Sequence, residues 1–219
     1  MTHPTWPLYD LRVRTPRLEL RYIDDALAVE LALLAAQGIH EPDFMPFSIP
    51  WTQEPSPALE RNTMQFYWRC RAETTATHWS INLATLVDGV VVGTTGMMAE
   101  QFPTLRVFET GSWLGRAHQG KGIGKEMRLA TLHLGFLGLD AEVATTGAWH
   151  DNGPSLGVTN SLGYTPVGHR RMVRLGESST LRGYEMLRDD FVARLRRDDV
   201  ALHGIEGTRD VLGLDTPST

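Results

Sequence analysis

Only one of the 219 residues is a cysteine, Cys70, so no disulfide can form within the chain and no cluster of thiolates can hold a metal. Histidine is present eight times but scattered, with no His-x-x-x-His pair and no histidine–carboxylate set at ligand spacing. No metal is expected. Long apolar runs are missing too, and none approaches the roughly 20 residues that span a bilayer, so no membrane partner is expected. Residues 1–10 have neither a basic start nor an apolar stretch, which argues against a signal peptide and for a cytoplasmic protein. An excess of positive charge is also lacking. A net charge of −5 argues against tight binding of DNA or RNA and favours a cationic partner such as an amine or a basic peptide.

What remains suits one α/β domain: 42% hydrophobic and 21% charged residues, in a chain long enough to bury a substantial core. Residues 17–22 alternate Leu18, Leu20 and Tyr22 with Arg17, Glu19 and Arg21, the period-two pattern of a half-buried strand. Asp24 can cap a helix over 26–37, which Gly38 stops. A second helix is expected over 58–73. Asp88-Gly89 favours a type I′ turn between strands at 78–87 and 90–98. Further strands are expected at 106–114, 141–148, 164–175 and 180–188, the last two joined by Gly176-Glu177-Ser178-Ser179. Short helices are expected at 154–162 and, capped by Asp189, up to Arg197. Residues 200–219 show no clear period and read as a loosely ordered tail or an oligomer arm.

Between the first two helices, residues 39–57 hold five prolines interleaved with Phe44, Met45, Phe47 and Trp51. Proline forbids regular structure there, and the apolar side chains either plug the domain edge or line a substrate pocket.

Gln119-Gly120-Lys121-Gly122-Ile123-Gly124 follows a strand-like run, 107–114, and opens a helix-like run, 125–137. Bare glycine backbone can wrap a phosphate and pass it to the helix N-terminus. Gly115-x-x-x-x-Gly120-Lys121 begins a Walker A loop, but Gly122 stands where magnesium binding needs Ser or Thr. A dinucleotide fingerprint would need glycine at Lys125, although Asp140 lies near the distance of a ribose-binding acid, so a nucleotide or dinucleotide remains an alternative.

Read as Gln-x-x-Gly-x-Gly, the loop resembles the acyl-CoA pyrophosphate loop of the GNAT superfamily of N-acetyltransferases. Thr15-Pro16-Arg17-Leu18-Glu19-Leu20 and Glu109-Thr110-Gly111-Ser112-Trp113-Leu114 resemble the first and fourth strands of its Rim-type ribosomal-protein acetyltransferase branch. Asn152-Gly153-Pro154-Ser155 and Ser161-Leu162-Gly163-Tyr164 resemble that branch's later helix and its closing motif. The resemblance implies an α/β (α+β) fold with a mixed sheet of six to seven mostly antiparallel strands, splayed between the fourth and fifth and flanked by helices. It divides the chain into an N-terminal extension, 1–14, the acyltransferase domain, 15–198, and a C-terminal tail, 199–219.

By the same resemblance, acetyl-CoA or another acyl-CoA is the co-substrate. Gln119, Gly120, Lys121, Gly122, Ile123, Gly124 and Lys125 hold its phosphates, and Ser112, Trp113, Leu114 and Asn152 its pantetheine. Glu109 shares a strand face with Gly111 and Trp113, and if partly buried its carboxyl is fitted to take a proton from the amine. The tyrosine acid of many GNAT enzymes is replaced by Thr159, and Ser155, one helical turn after Asn152, is the branch's substitute for stabilising the leaving thiolate. Phe44, Met45, Phe47, Trp51 and His150 are the candidate acceptor-binding residues. The acceptor is a primary amine of a protein N-terminus, a lysine or a small molecule, and a homo-oligomer is possible. Arg61, Arg170 or Arg171 would suit a succinyl donor. A non-catalytic acyl-CoA sensor is the alternative that Thr159 suggests.

Overall fold

The computed structural model describes residues 3–215. Asp24 caps the first helix, α1 (Asp25–Ala36), by accepting a hydrogen bond from the Leu27 N–H at 2.8 Å. After the proline-rich segment comes α2 (Ala58–Ala72). Strands β1 (Arg12–Arg14) and β2 (Glu19–Tyr22) precede them, and β3 (His78–Val87) and β4 (Val90–Glu100) follow. Asp88 and Gly89 both take positive φ, 50° and 80°, as a type I′ turn requires. A single helical turn, α3 (Phe102–Leu105), leads to β5 (Val107–Leu114), the glycine loop and α4 (Ile123–His133). Then come β6 (Val143–Trp149), α5 (Gly153–Ser161), β7 (Thr165–Arg174), β8 (Glu177–Leu187), α6 (Arg188–Arg194), β9 (Ala201–His203) and α7 (Ile205–Val211).

All nine strands form one sheet, in the order β7-β8-β6-β5-β4-β3-β2-β1-β9. Among the described residues, only the β5–β6 pair is parallel. The expected six to seven strands become nine because both flanks contribute one. Residues 201–211 are a strand and a helix, not a loose tail. β9 pairs with β1, and Arg209 pairs with Asp140 at 2.7 Å, tying α7 to the segment after α4. In β1 only Val13 is apolar and buried, too little for a period-two pattern to register.

Two further expectations are corrected. The β7–β8 hairpin turns at Leu175-Gly176, whose φ angles are 51° and 84°, so it begins one residue before the expected loop, and Glu177, Ser178 and Ser179 belong to β8. Asp189 does not cap α6: it lies inside the first turn, and Leu187 precedes the helix without a side-chain cap.

The main core lies between the sheet and α4. Phe108, Met127, Leu132, Phe136 and Met186 are buried there. Contact is close enough that a Cβ at Gly135 would fall 2.3 Å from Phe108 Cζ, so this helix position admits only glycine. α1 and α2 cover the opposite face over β3 and β4, in a smaller cluster that Trp113 joins.

Candidate active site

The geometry of the site follows from where the β5–β6 ladder stops. Its pairs run from Val107–Val143 to Glu109–Thr145 and end there. Three threonines stitch the next step with side chains: Thr110 donates to the Thr145 carbonyl at 3.2 Å, Thr145 to that of Phe108 at 3.3 Å, and Thr146 to that of Thr110 at 3.2 Å. Beyond them the strands part. Into the gap α4 sends Arg128, whose Nη1 donates to Thr146 Oγ1 at 3.0 Å and Nη2 to Ser112 Oγ at 3.3 Å. A cavity of about 690 Å³ opens beside the gap.

That cavity brings together Ser112, Trp113, Leu114, Gln119, Gly120, Gly122, Gly124, Lys125, Asn152 and Ser155 from the expected cofactor set, with Phe44 and Phe47 from the proline-rich segment. Gly120 and Gly122 sit at φ 72° and 77°, a conformation that L side chains resist, and turn the backbone into the start of α4. Behind the loop, Glu126 in the first turn of α4 accepts from Thr15 at 2.5 Å and pairs with Arg17 at 2.6 Å. The Thr15-Pro16-Arg17 motif thus braces the glycine loop from the start of β2. Arg17 also donates to the Lys121 carbonyl at 3.5 Å.

Several expected roles change. The Gln119 side-chain amide is spent inside the protein, donating to the carbonyls of Ile39 at 2.6 Å and Leu114 at 2.8 Å. It ties the loop to β5 and to the proline-rich segment. Lys121 folds back to donate to the Ala117 carbonyl at 2.7 Å and does not line the cavity. The Ile123 side chain is buried in the core, which leaves only its backbone for a ligand. Asn152 caps α5, accepting from the Ser155 N–H at 3.3 Å. Thr159 is buried and donates to the Ser155 carbonyl at 3.0 Å, so it takes no part at the cavity.

Glu109 is exposed rather than partly buried, and it faces away from this cavity. It lines a second one of about 310 Å³ with Thr145, Gly147, Arg170, Leu181 and Tyr184. Gly147 and Leu181 share the sheet face of Glu109, opposite the buried face of Phe108. His150 lines neither: it borders a separate hollow of about 520 Å³ with Pro166, His169 and Arg182. Met45 is buried and Trp51 packs in tilted contact against Phe47 and Trp113, so both support the wall instead of facing the space. Of Arg61, Arg170 and Arg171, none lines the larger cavity, and Arg171 is turned to Ser178 at 2.9 Å.

Two residues of the site escaped the sequence reading. Arg174 donates from Nε to the Met45 carbonyl at 2.8 Å and from Nη1 to both Asp151 oxygens at 2.8 and 2.9 Å. Its guanidinium also lies over the rings of Phe44 and Trp149 at 4.7 and 5.3 Å. One side chain therefore pins the proline-rich segment to the β7–β8 hairpin and to the start of α5. Arg128 was legible in principle, because Gly124, Arg128 and Thr131 recur at helical spacing on the face of α4 that meets the sheet. A charged residue on such a face is a signal of function.

Residues 17–165 match the acetyltransferase (GNAT) domain family, and the chain belongs to that family. It is thus an acetyltransferase that draws on acetyl-CoA. Among solved structures it is similar to RimL, a ribosomal L7/L12 alpha-N-protein acetyltransferase in complex with coenzyme A, at 18% identity and TM-score 0.65, over 80% of this chain and 97% of that one. A GCN5-related N-acetyltransferase from Brucella melitensis aligns at 16% identity and TM-score 0.64, over 83% and 80%. A GNAT-family acetyltransferase from Bacillus anthracis aligns at 17% identity and TM-score 0.64, over 81% and 99%. At these identities the likeness is one of fold.

Proposed function

We propose that this protein transfers an acyl group, acetyl in the first instance, from acyl-CoA to a primary amine by direct attack. The observation that carries the reading is the single cavity joining the glycine loop, the end of β5 that has left β6 and the capped start of α5. The residues suit the co-substrate: glycine backbone with no side chain in the way and the first N–H groups of α4 for the phosphates, with Lys125 beside them. Residues 112–114 stay paired with β4 on one side, and their backbone on the side that has left β6 serves the pantetheine, as it would a further strand. Bound there, acyl-CoA supplies an activated carbonyl.

The amine approaches from the opposite sheet face, where Glu109 lines the smaller cavity. Its exposure favours proton removal through water rather than through a desolvated carboxyl. Ser155, at the first turn of α5, hydrogen-bonds the departing thiolate and is too weak an acid to be its proton source. The RimL structure, whose name gives a protein N-terminus as its target, supports a protein α-amino group here ahead of lysine or a small amine.

Incubation with acetyl-CoA or succinyl-CoA and a panel of N-terminal peptides and small amines, following thiol release, tests the reading. Turnover on at least one amine is expected. No calorimetric binding of any CoA species at micromolar concentration would sink it, and binding without turnover on any amine would point to an acyl-CoA sensor instead.

A further inference from the structure

Arg128 is only 5% exposed, and among the described residues it meets no carboxylate. Other arginines of the chain do: Arg17 meets Glu126, Arg174 meets Asp151, and Arg209 meets Asp140 and Asp215. The partners of Arg128 are two hydroxyls, and its Nε has none. A guanidinium does not lose its proton at any physiological pH, so the charge persists in a site with little water. Hydroxyl dipoles solvate such a charge without neutralising it, and a buried cation left uncompensated is strongly destabilising. The cavity is the open side of this residue, which lines it beside Ser112 and Leu114 where β5 has left β6.

Resting on the acyltransfer reading above, we infer that Arg128 is the anion-binding residue at the acyl end of the cavity. The charge it answers is the one that transfer creates. As the amine nitrogen bonds to the acyl carbon, the carbonyl electron pair moves onto oxygen; when the C–S bond breaks, a pair leaves on sulfur. The nitrogen gives up its proton on the Glu109 side, and the sulfur takes one from solvent. Arg128 exchanges no proton. It supplies fixed positive charge, on the side where it lines the cavity, at the place where oxygen and then sulfur turn negative. A carboxylate ending the acyl chain would offer the same chemistry from the ground state, which the donors separate.

The placement is rigid. Ser112 and Thr146 belong to the two diverging strands, and a bond from each holds the guanidinium across the gap. Replacing it by Gln keeps hydrogen-bonding capacity and drops the charge; replacing it by Lys keeps the charge.

The decisive probe needs no turnover. S-carboxymethyl-CoA carries an anion at the acyl position and S-ethyl-CoA carries none, while both share every phosphate. The parent protein is expected to bind the first about tenfold more tightly by calorimetry, and Arg128→Gln to bind both alike. Equal affinity of the parent for the two thioethers overturns the inference, whether or not the protein acylates an amine. Failure of the acyltransfer reading shows separately, as absent turnover in the parent.

In kinetics, Arg128→Gln should lower kcat with acetyl-CoA about a hundredfold while affinity for plain CoA changes little, and Arg128→Lys should recover part of the loss. A raised KM for succinyl-CoA with acetyl turnover intact supports the anion site and assigns the anion to the donor. Unchanged kinetics with both donors overturns it. If Arg128→Gln does not fold, the Ser112→Ala, Thr146→Val pair carries the thioether comparison: loss of the preference supports the inference, and its full retention overturns the tethered placement.

Discussion

The two cavities on either side of the sheet are built in opposite ways. The larger is made of backbone and of side chains locked to one another: glycines at positive φ, Gln119 bonded at both amide hydrogens, Glu126 clamped by Thr15 and Arg17, Arg128 spanning two strands. The smaller is lined by the exposed Glu109 of β5, by partly buried residues of β6, and by a hairpin whose outer strand, β7, is exposed over most of its length. Val173 on that strand is 70% accessible. Under the proposed function, the ligand common to the whole family would meet fixed geometry on one side, and the partner particular to this protein adjustable side chains on the other. Pre-organisation is concentrated where the substrate does not vary.

The contrast is sharpened most by Glu109→Gln. The change removes a base from the open side and leaves the other side untouched, so kcat/KM for the amine should fall by about 10²–10⁴ while calorimetric CoA affinity stays constant. A fall in CoA affinity would show that the two sides are not independent. Gly122→Val is the converse. A β-branched residue at φ 77° costs on the order of 1–2 kcal/mol or more and crowds the N–H groups that face a phosphate. CoA should bind at least about tenfold more weakly, with little effect on kcat at saturation. Gly124→Ala is the control, since its Cβ would find only ordinary contacts at 3.7 Å to Leu114 and Val158.

The same division explains what the sequence disclosed. Elements fixed by local chemistry were legible: the Asp24 cap, the Asp88-Gly89 turn, the glycine loop, and the strand faces of β2 and β5. Each depends on residues within a few positions of one another. What stayed hidden depends on partners far along the chain. β9 is a three-residue strand at the sheet edge whose pairing comes from β1, about 190 residues earlier in the chain, and β1 itself is only three residues long. Gln119 looked like a ligand contact because nothing local reveals that Ile39 claims its amide. Ile123 and Lys121 sit in the phosphate motif, yet one side chain is drawn into the core and the other back onto Ala117. Arg174 looked like an ordinary strand charge, and only the fold brings Met45 and Asp151 to it.

Arg174 is the joint between the two sides, so Arg174→Leu tests how far they are coupled. The substitution frees the Met45 carbonyl, unpairs Asp151 and removes the cation over Phe44 and Trp149. The side chain is 11% accessible, so the loss should reach about 1–3 kcal/mol of stability. The proline-rich wall of the larger cavity should loosen, raising KM for acetyl-CoA about tenfold with kcat nearly kept. A lowered melting temperature with unchanged KM would mean that the segment only plugs the domain edge.

The smallest expected effect concerns acid, and it again separates the sides. His133 closes α4 from within the core: its ring is buried, one nitrogen faces the Leu129 carbonyl at 2.9 Å and Nε2 accepts from the Arg197 N–H at 2.9 Å. This pattern fits the neutral tautomer with hydrogen on Nδ1. Burial pushes its pKa below the usual 6.5. Between that lowered value and 6.5 the unfolded chain holds a proton that the folded one does not, so the histidine's contribution to stability is full above about pH 6.5 and shrinks as pH falls. Urea midpoints at pH 7.5 and 5.5 should therefore differ slightly more for the parent than for His133→Gln. Hydrogen exchange should place the acid-induced loosening in α4 and the phosphate loop it carries, and leave the β7–β8 hairpin unchanged. Equal loosening of hairpin and helix would show that α4 is not the element through which acid acts, and that the rigid side and the adjustable side melt as one.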